Sequence, residues 1–288
     1  MQPRSFSKPP TVGLGVLSWR ARKTLRASLE SFRRGDLFSC FDETLIFFQE
    51  IEEEDREIAR QFGPRAAGVE TNIGIMGGMK RVAELLHTDY VLHLENDLHL
   101  IADMQTVRRK ITDAIANMES GAARCYRMDE RRPPAGDAGE LRKYMRYHPA
   151  PLLHRRDNWL RRLRRIARPF KARQMSGAAV YCHDRPHVRF PQHIRPLRGG
   201  DWSVDSAAMN WSNRAPLYPR KWFLDEIIPY AEAHPSARTV NGGQDLEKEL
   251  NRRWWRERRF RVGVCGEGLF VHKRLDRPAG DEKSGTVG

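Results

Sequence analysis

Cysteine is scarce and scattered in this chain. Cys40, Cys125, Cys182 and Cys265 are its four cysteines, and no two of them form a C-x-x-C pair. That spacing argues against a zinc-ribbon site and a disulfide framework, and it fits a protein kept reduced in the cytoplasm. Long apolar runs are missing too: no stretch approaches the roughly 18–20 residues that would span a bilayer. The opening MQPRSFSKPPTVGLGVLSW puts basic residues before a short apolar run, and Arg20, Arg22 and Lys23 follow at once. Lacking a full apolar segment and a cleavage site, it reads as a first β-strand rather than a signal peptide. Acidic residues are in deficit, 37 against 51 Lys and Arg, for a net charge of +14. Such an excess implies an anionic partner: nucleic acid, an acidic membrane surface or a phosphate-bearing substrate.

Enough apolar residues are present for a core. They make up 40% of the 288 residues, and the mean hydropathy of −0.68 reflects a charged fraction of 31%. Runs such as TLIFF (44–48) and YVLHL (90–94) argue against disorder. Residues 1–10 read as a flexible tail. The spacing then predicts strands at 11–19, 43–50, about 67–70 and 89–97, with helices at 21–32, 52–62 and 79–87 between them. A β-α-β-α-β-α-β order of this kind gives an α/β fold with a mainly parallel, Rossmann-like central sheet flanked by helices. A helix at 103–119 and a strand near 122–127 follow, and 129–140 is an obvious loop. We expect a strand at 176–182 (SGAAVYC), a loop-rich region at 183–220, and a helix at 219–234. One long helix over 242–259, strand character in 262–273 and a frayed tail at 276–288 complete the reading. No internal repeat is evident.

Four features carry chemistry. The apolar strand at 89–97 runs straight into Glu95-Asn96-Asp97, and strand alternation puts both acids on one side at the sheet's carboxyl edge. Two carboxylates there suit Mn²⁺ or Mg²⁺, which take oxygen ligands from one or two carboxylates plus substrate phosphates. An acidic turn after a strand is the plain alternative. Asn72 and Gly74, with Gly77 and Gly78 behind them, lead into a helix and give a weak anion site. Gly242-Gly243-Gln244-Asp245 opens the late helix, where Asp245 would serve equally as a first-turn acid. His272 stands beside Phe270, Val271 and Lys273 near the end of the folded region, in a position that suits a metal ligand or a plain strand end.

In this order the features resemble the family 2 glycosyltransferases of the GT-A fold. The likeness covers roughly residues 11–127 and 176–275, with TVGLGVLSW as the first strand, TLIFFQE as the second, ETNIGIMGGMKRVAELLHTDYVLHLEND running into a DxD-like motif, GGQDLEKELNRR as the late helix start and GLFVHK as the last strand. It implies one domain over 11–275, with an insert at about 129–173. It also implies transfer of a sugar from a UDP- or GDP-sugar to an acceptor hydroxyl, with inversion, in surface glycan or glycolipid synthesis. By the same resemblance Glu50 lies near the base or ribose, and Asn72 and Gly74 line the donor site. Glu95 then faces the ribose or the metal's water shell, Asp97 binds the cation, His272 completes the metal or diphosphate site, and Asp245 is the general base. Three places depart from the family pattern, since Glu95 replaces an Asp, Gln244 replaces an acid, and the turn Gln49-Glu50-Ile51-Glu52 lacks the usual Asp-Asp-Gly.

Charge is concentrated between Arg142 and Arg173, where twelve Lys or Arg face one acid, Asp157, for a local net of +11. A helix at 155–168 sets Trp159, Leu163 and Ile166 on one face and Arg161, Arg162, Arg164, Arg165 and Arg168 elsewhere. The pattern suits peripheral contact with an anionic membrane at its inner face, other anions, or simple packing through the apolar stripe. Trp202, Trp211 and Asn213 suggest an acceptor pocket, because indoles stack on sugar rings, although buried packing explains them as well. His183, His187 and His193 are spaced too irregularly for a metal site. The competing classes are a nucleotidyltransferase, whose glycine-rich first loop is absent from SWRARKT (18–24), and a non-catalytic nucleic-acid- or membrane-binding protein. No RNP-like, zinc-finger or helix-turn-helix spacing supports nucleic-acid binding.

Overall fold

A computed structural model describes residues 9–130, 139–240 and 242–275. The expected C-terminal tail, most of the N-terminal tail and most of the loop at 129–140 lie outside those residues. The strands are β1 (Val12–Trp19), β2 (Glu43–Gln49), β3 (Arg65–Val69), β4 (Tyr90–Glu95), β5 (Leu98–Leu100), β6 (Cys125–Arg127), β7 (Ile194–Pro196), β8 (Trp202–Asp205), β9 (Pro216–Pro219), β10 (Arg261–Val264) and β11 (Phe270–His272). Nine of them form one sheet in the order β3-β2-β1-β4-β9-β6-β10-β8-β7, and β11 pairs with β5 in a separate two-stranded ribbon. Pairing is parallel from β3 through β4 and between β6 and β10, whereas β9 and β8 run against their neighbours. The expected mainly parallel α/β sheet is therefore present, with two reversed strands that the sequence reading did not separate from loop.

Alternation along the strands loads both faces. From β1, Val12, Leu14 and Val16 enter one buried cluster and Leu17 the other. In β2, Ile46 and Phe48 join the first while Leu45 and Phe47 join the second, as period-two side chains of a sheet covered on both faces must. Helices α1 (Arg22–Arg34), α2 (Glu53–Phe62) and α4 (Met104–Glu119) cover the first face through residues such as Leu25, Leu29, Phe32, Ile58 and Val107. Helix α3 (Gly74–Leu85) covers the other through Met79, Val82 and Ala83. It lies directly on β1: a Cβ at Gly15 would sit 2.1 Å from Val82 Cγ1, so only glycine permits this approach.

Three expectations fail for identifiable reasons. Residues Ser176–Tyr181 form a 3₁₀ turn rather than a strand, and all six are buried. A short, fully buried apolar run has no exposed side to reveal its period. The region at 183–220 holds β7, β8 and β9, each only three or four residues long. The expected single helix at 242–259 divides into Glu247–Leu250 and Arg253–Arg258. Leu246 takes a positive φ of 54°, and the Asn251 side chain bonds both the N–H and the C=O of Trp211 (2.6 and 3.0 Å). None of the four cysteines, all among the described residues, is in a disulfide. Among the described residues no helix is long and apolar enough to cross a membrane.

Candidate functional site

The carboxyl edge of β4 is where the predicted residues meet. Glu95 ends β4, the chain turns through Asn96 and Asp97, and β5 leaves from Leu98. β11 then returns antiparallel to β5, with His272 opposite Leu98. A backbone bond from Lys273 N to Asp97 O (2.7 Å) fixes the crossing. His272 Nε2 thereby lies 2.8 Å from Asp97 Oδ2. One ligand atom from each of Glu95, Asp97 and His272 lies within 4.8 Å of the others, and no other such group of three occurs among the described residues. The irregularly spaced His183, His187 and His193 do not converge.

Electrostatics separate the two acids. Burial raises the Glu95 carboxyl well above its usual range, and the charges of Asp97, Glu247 and Asp245 raise it further. Burial also opposes ionisation of Asp97, but its hydrogen bond to His272 and the charges of His272 and Arg274 outweigh that and hold it low. Asp97 Oδ1 is buried without a partner. An orphaned buried carboxylate oxygen is costly. Beside a second carboxyl and an imidazole, it presents an oxygen-rich donor set that fits a divalent cation.

A cleft opens from this cluster, lined by Leu17, Trp19, Gln49, Asn72, Gly74, Ile75, Glu95, Asn96, Asp97, Val240 and Arg274. Its far wall comes from the Asn72–Gly74 turn, in which Asn72 Oδ1 accepts the Gly74 N–H (2.9 Å) and Gln49 Oε1 accepts that of Ile73 (2.8 Å). Gly74, at φ 77°, meets the late glycine turn backbone to backbone: a Cβ on Gly74 would lie 2.7 Å from Gln244 N, and one on Gly243 would lie 2.3 Å from Gly74 Cα. Met76 N also bonds Gln244 O (3.0 Å). Two glycine motifs 169 positions apart are thus one contact, which brings Asp245 to the same edge as Glu95.

Asp245 precedes the Glu247–Leu250 helix instead of starting it. Asn213 Nδ2 donates to its backbone oxygen (2.9 Å) and to Oδ1 (3.3 Å), and Lys248 Nζ stands 3.7 Å from Oδ2. Burial, then Glu247, pushes the Asp245 carboxyl up to about 7, with Lys248 opposing.

The remaining predicted residues lie elsewhere. Glu50, at φ 56°, does not itself line the cleft; it accepts the Trp19 indole N–H (3.1 Å) and pairs with Arg20, while Trp19 and Gln49 line the space. Trp211 and Asn213 are each 3% exposed and cannot offer a face to an acceptor. Instead the Trp211 indole donates to Asn213 Oδ1 (2.8 Å), which orients the amide that holds Asp245. Trp202 stacks on His187 on β8, four strand spacings from β4 or roughly 19 Å along the sheet. Sequence reasoning missed Trp19, Gln49 and Arg274. The nearest signal for Gln49 was its place beside Glu50, since only one of two adjacent strand residues faces a given side.

No known family pattern matches this chain, and no curated protein matches it in sequence. Solved structures similar to it include S. aureus TarS 1–349, at 13% identity and a TM-score of 0.49 over 91% of this chain and 60% of that one. The same TarS fragment in complex with UDP-GlcNAc gives 13% and 0.48 over 93% and 60%. Mannosyl-3-phosphoglycerate synthase from Rubrobacter xylanophilus gives 15% and 0.35 over 48% of each chain. This chain therefore spans about 60% of the length of the TarS 1–349 structure.

Proposed function

We propose that this chain is a glycosyltransferase of the family 2 type, moving a sugar from a nucleoside-diphosphate sugar to an acceptor hydroxyl with inversion. The observation that carries the reading is the convergence of Glu95, Asp97 and His272, of which the two acids line a cleft with Asn72 and Gly74, together with the Gly74–Gly243 contact that sets Asp245 near Glu95. Open α/β sheets bind ligands at the carboxyl ends of their strands.

Asp97, His272 and Glu95 would hold Mn²⁺ or Mg²⁺, and such a cation neutralises the charge of a departing diphosphate. Trp19 presents an aromatic face to the donor, its indole N–H fixed by Glu50. Arg274, which also lines the cleft, supplies a positive charge near the phosphates. Asp245 removes the acceptor hydroxyl proton as that oxygen forms its bond to the anomeric carbon, and the bond to the diphosphate breaks on the opposite side. A carboxyl pushed up to about 7 suits a base working near neutral pH. The donor would be a UDP- or GDP-sugar, and the acceptor a glycan or lipid-linked hydroxyl.

The test is turnover of UDP- and GDP-sugars with Mn²⁺ by wild type and Asp245→Asn. Loss of about 10²–10⁴-fold in kcat, with nucleotide binding retained, is the expected result. Unchanged turnover in the variant would remove Asp245 from the reaction.

A further inference from the structure

The helix Trp159–Ala167 is mounted with its charged side inward. Asn158 caps it by accepting the Arg161 N–H (3.0 Å). Arg161 Nε donates to the Met145 carbonyl (2.8 Å), and Arg165 donates to the Tyr147 carbonyl (2.6 Å) and pairs with Asp157 at 2.8 Å. These two arginines, one turn apart, pin the helix to the body. At about 100° per residue the opposite side carries Trp159, Leu163 and Ile166, which are 70%, 54% and 78% exposed, and none of the nine residues is buried. Phe170, in the next helix, is 81% exposed. The simple-packing expectation therefore fails, because the arginines take the inward place that the apolar stripe would have needed.

We propose that this stripe docks on an anionic bilayer surface. An amphipathic helix on a soluble body normally buries its apolar side, and a contiguous exposed apolar patch marks an interaction surface. Charge selects the occupant. Arg162 falls on one flank of the stripe, and Arg146, Arg164 and Arg168 line a hollow beside the helix. The segment from Arg142 to Arg173 has a net charge of +11. Indole and aliphatic groups entering the acyl boundary, with guanidinium groups at the level of lipid phosphates, is how basic amphipathic helices lie on membranes. The proposal is independent of the sugar-transfer reading.

Sedimentation of the full chain with vesicles tests it, using pure phosphatidylcholine beside equal parts phosphatidylcholine and phosphatidylglycerol. Wild type should sediment with the mixed vesicles and stay in solution with the neutral ones. Trp159→Ser/Phe170→Ser should partition on the order of a hundredfold more weakly, with an unchanged thermal midpoint because both side chains face solvent. Val188→Ser, which alters an exposed apolar residue outside the helix, should bind as wild type does. The proposal is overturned if wild type ignores the mixed vesicles, binds both kinds equally, or loses nothing in the double variant. It is equally overturned if wild type is a dimer that this variant separates, since the stripe would then belong to a second copy of the chain.

Discussion

Burial and the charge of Glu247 raise the Asp245 carboxyl to about 7, and this sets a pH dependence. Only the ionised carboxylate accepts a proton. Below about pH 7 the group is increasingly protonated, and kcat/KM should fall with unit slope as pH drops, levelling off above that value. A profile flat from pH 5 to 8 would contradict the assigned base. Asn213 supports this residue from behind. Asn213→Ala removes two hydrogen bonds to Asp245 and strands the buried Trp211 indole N–H, which should cost about 1–3 kcal/mol in urea unfolding. It should also lower kcat while leaving nucleotide affinity nearly unchanged. Equal losses in affinity and kcat would mean that Asn213 serves the fold alone. From the sequence, Trp211 and Asn213 read as acceptor contacts, since an indole near an amide looks the same whether it faces a sugar or the interior. Burial decides between the two, and no local pattern reports it.

The elements up to β4 were legible in kind because each repeats its period often enough to be recognised: Leu25, Leu29 and Phe32 mark α1, and the run from Tyr90 to Leu94 marks β4, although α3 starts at Gly74, inside what reads as the preceding loop. The acids after β4 were legible for the same reason, since an apolar strand that stops at carboxylates exposes them at the sheet edge. The short strands within 183–220 were not, because the three or four residues of β7, β8 or β9 carry too little pattern. Nor was the join between the turn at Gly74 and the turn at Gly243, which depends on two backbones meeting across 169 positions. That join makes a prediction at the element scale. In Gly74→Ala the new Cβ meets Gln244 at 2.7 Å, at a φ of 77°. The strain alone should lower stability by about 1–3 kcal/mol, measured by urea unfolding. Donor turnover should fall further than stability explains, because the contact that sets Asp245 is displaced. A variant as stable and active as wild type would show that the two turns do not depend on each other.

At the scale of the whole molecule, the parallel half β3-β2-β1-β4 puts its carboxyl ends together. The β5–β11 ribbon folds the end of the described chain back over them, so His272 reaches Asp97 across 175 positions. One sheet edge thereby collects a candidate cation site, a cleft and a candidate base. The central claim is that this edge binds a nucleoside diphosphate through a metal held by Asp97. Calorimetric titration of the protein with UDP and GDP, with and without Mn²⁺, beside Asp97→Ala, tests it most directly. The account predicts binding of one nucleotide that requires Mn²⁺ and disappears in the variant. Binding that is indifferent to Mn²⁺ or to Asp97, or no binding of either nucleotide, would contradict it.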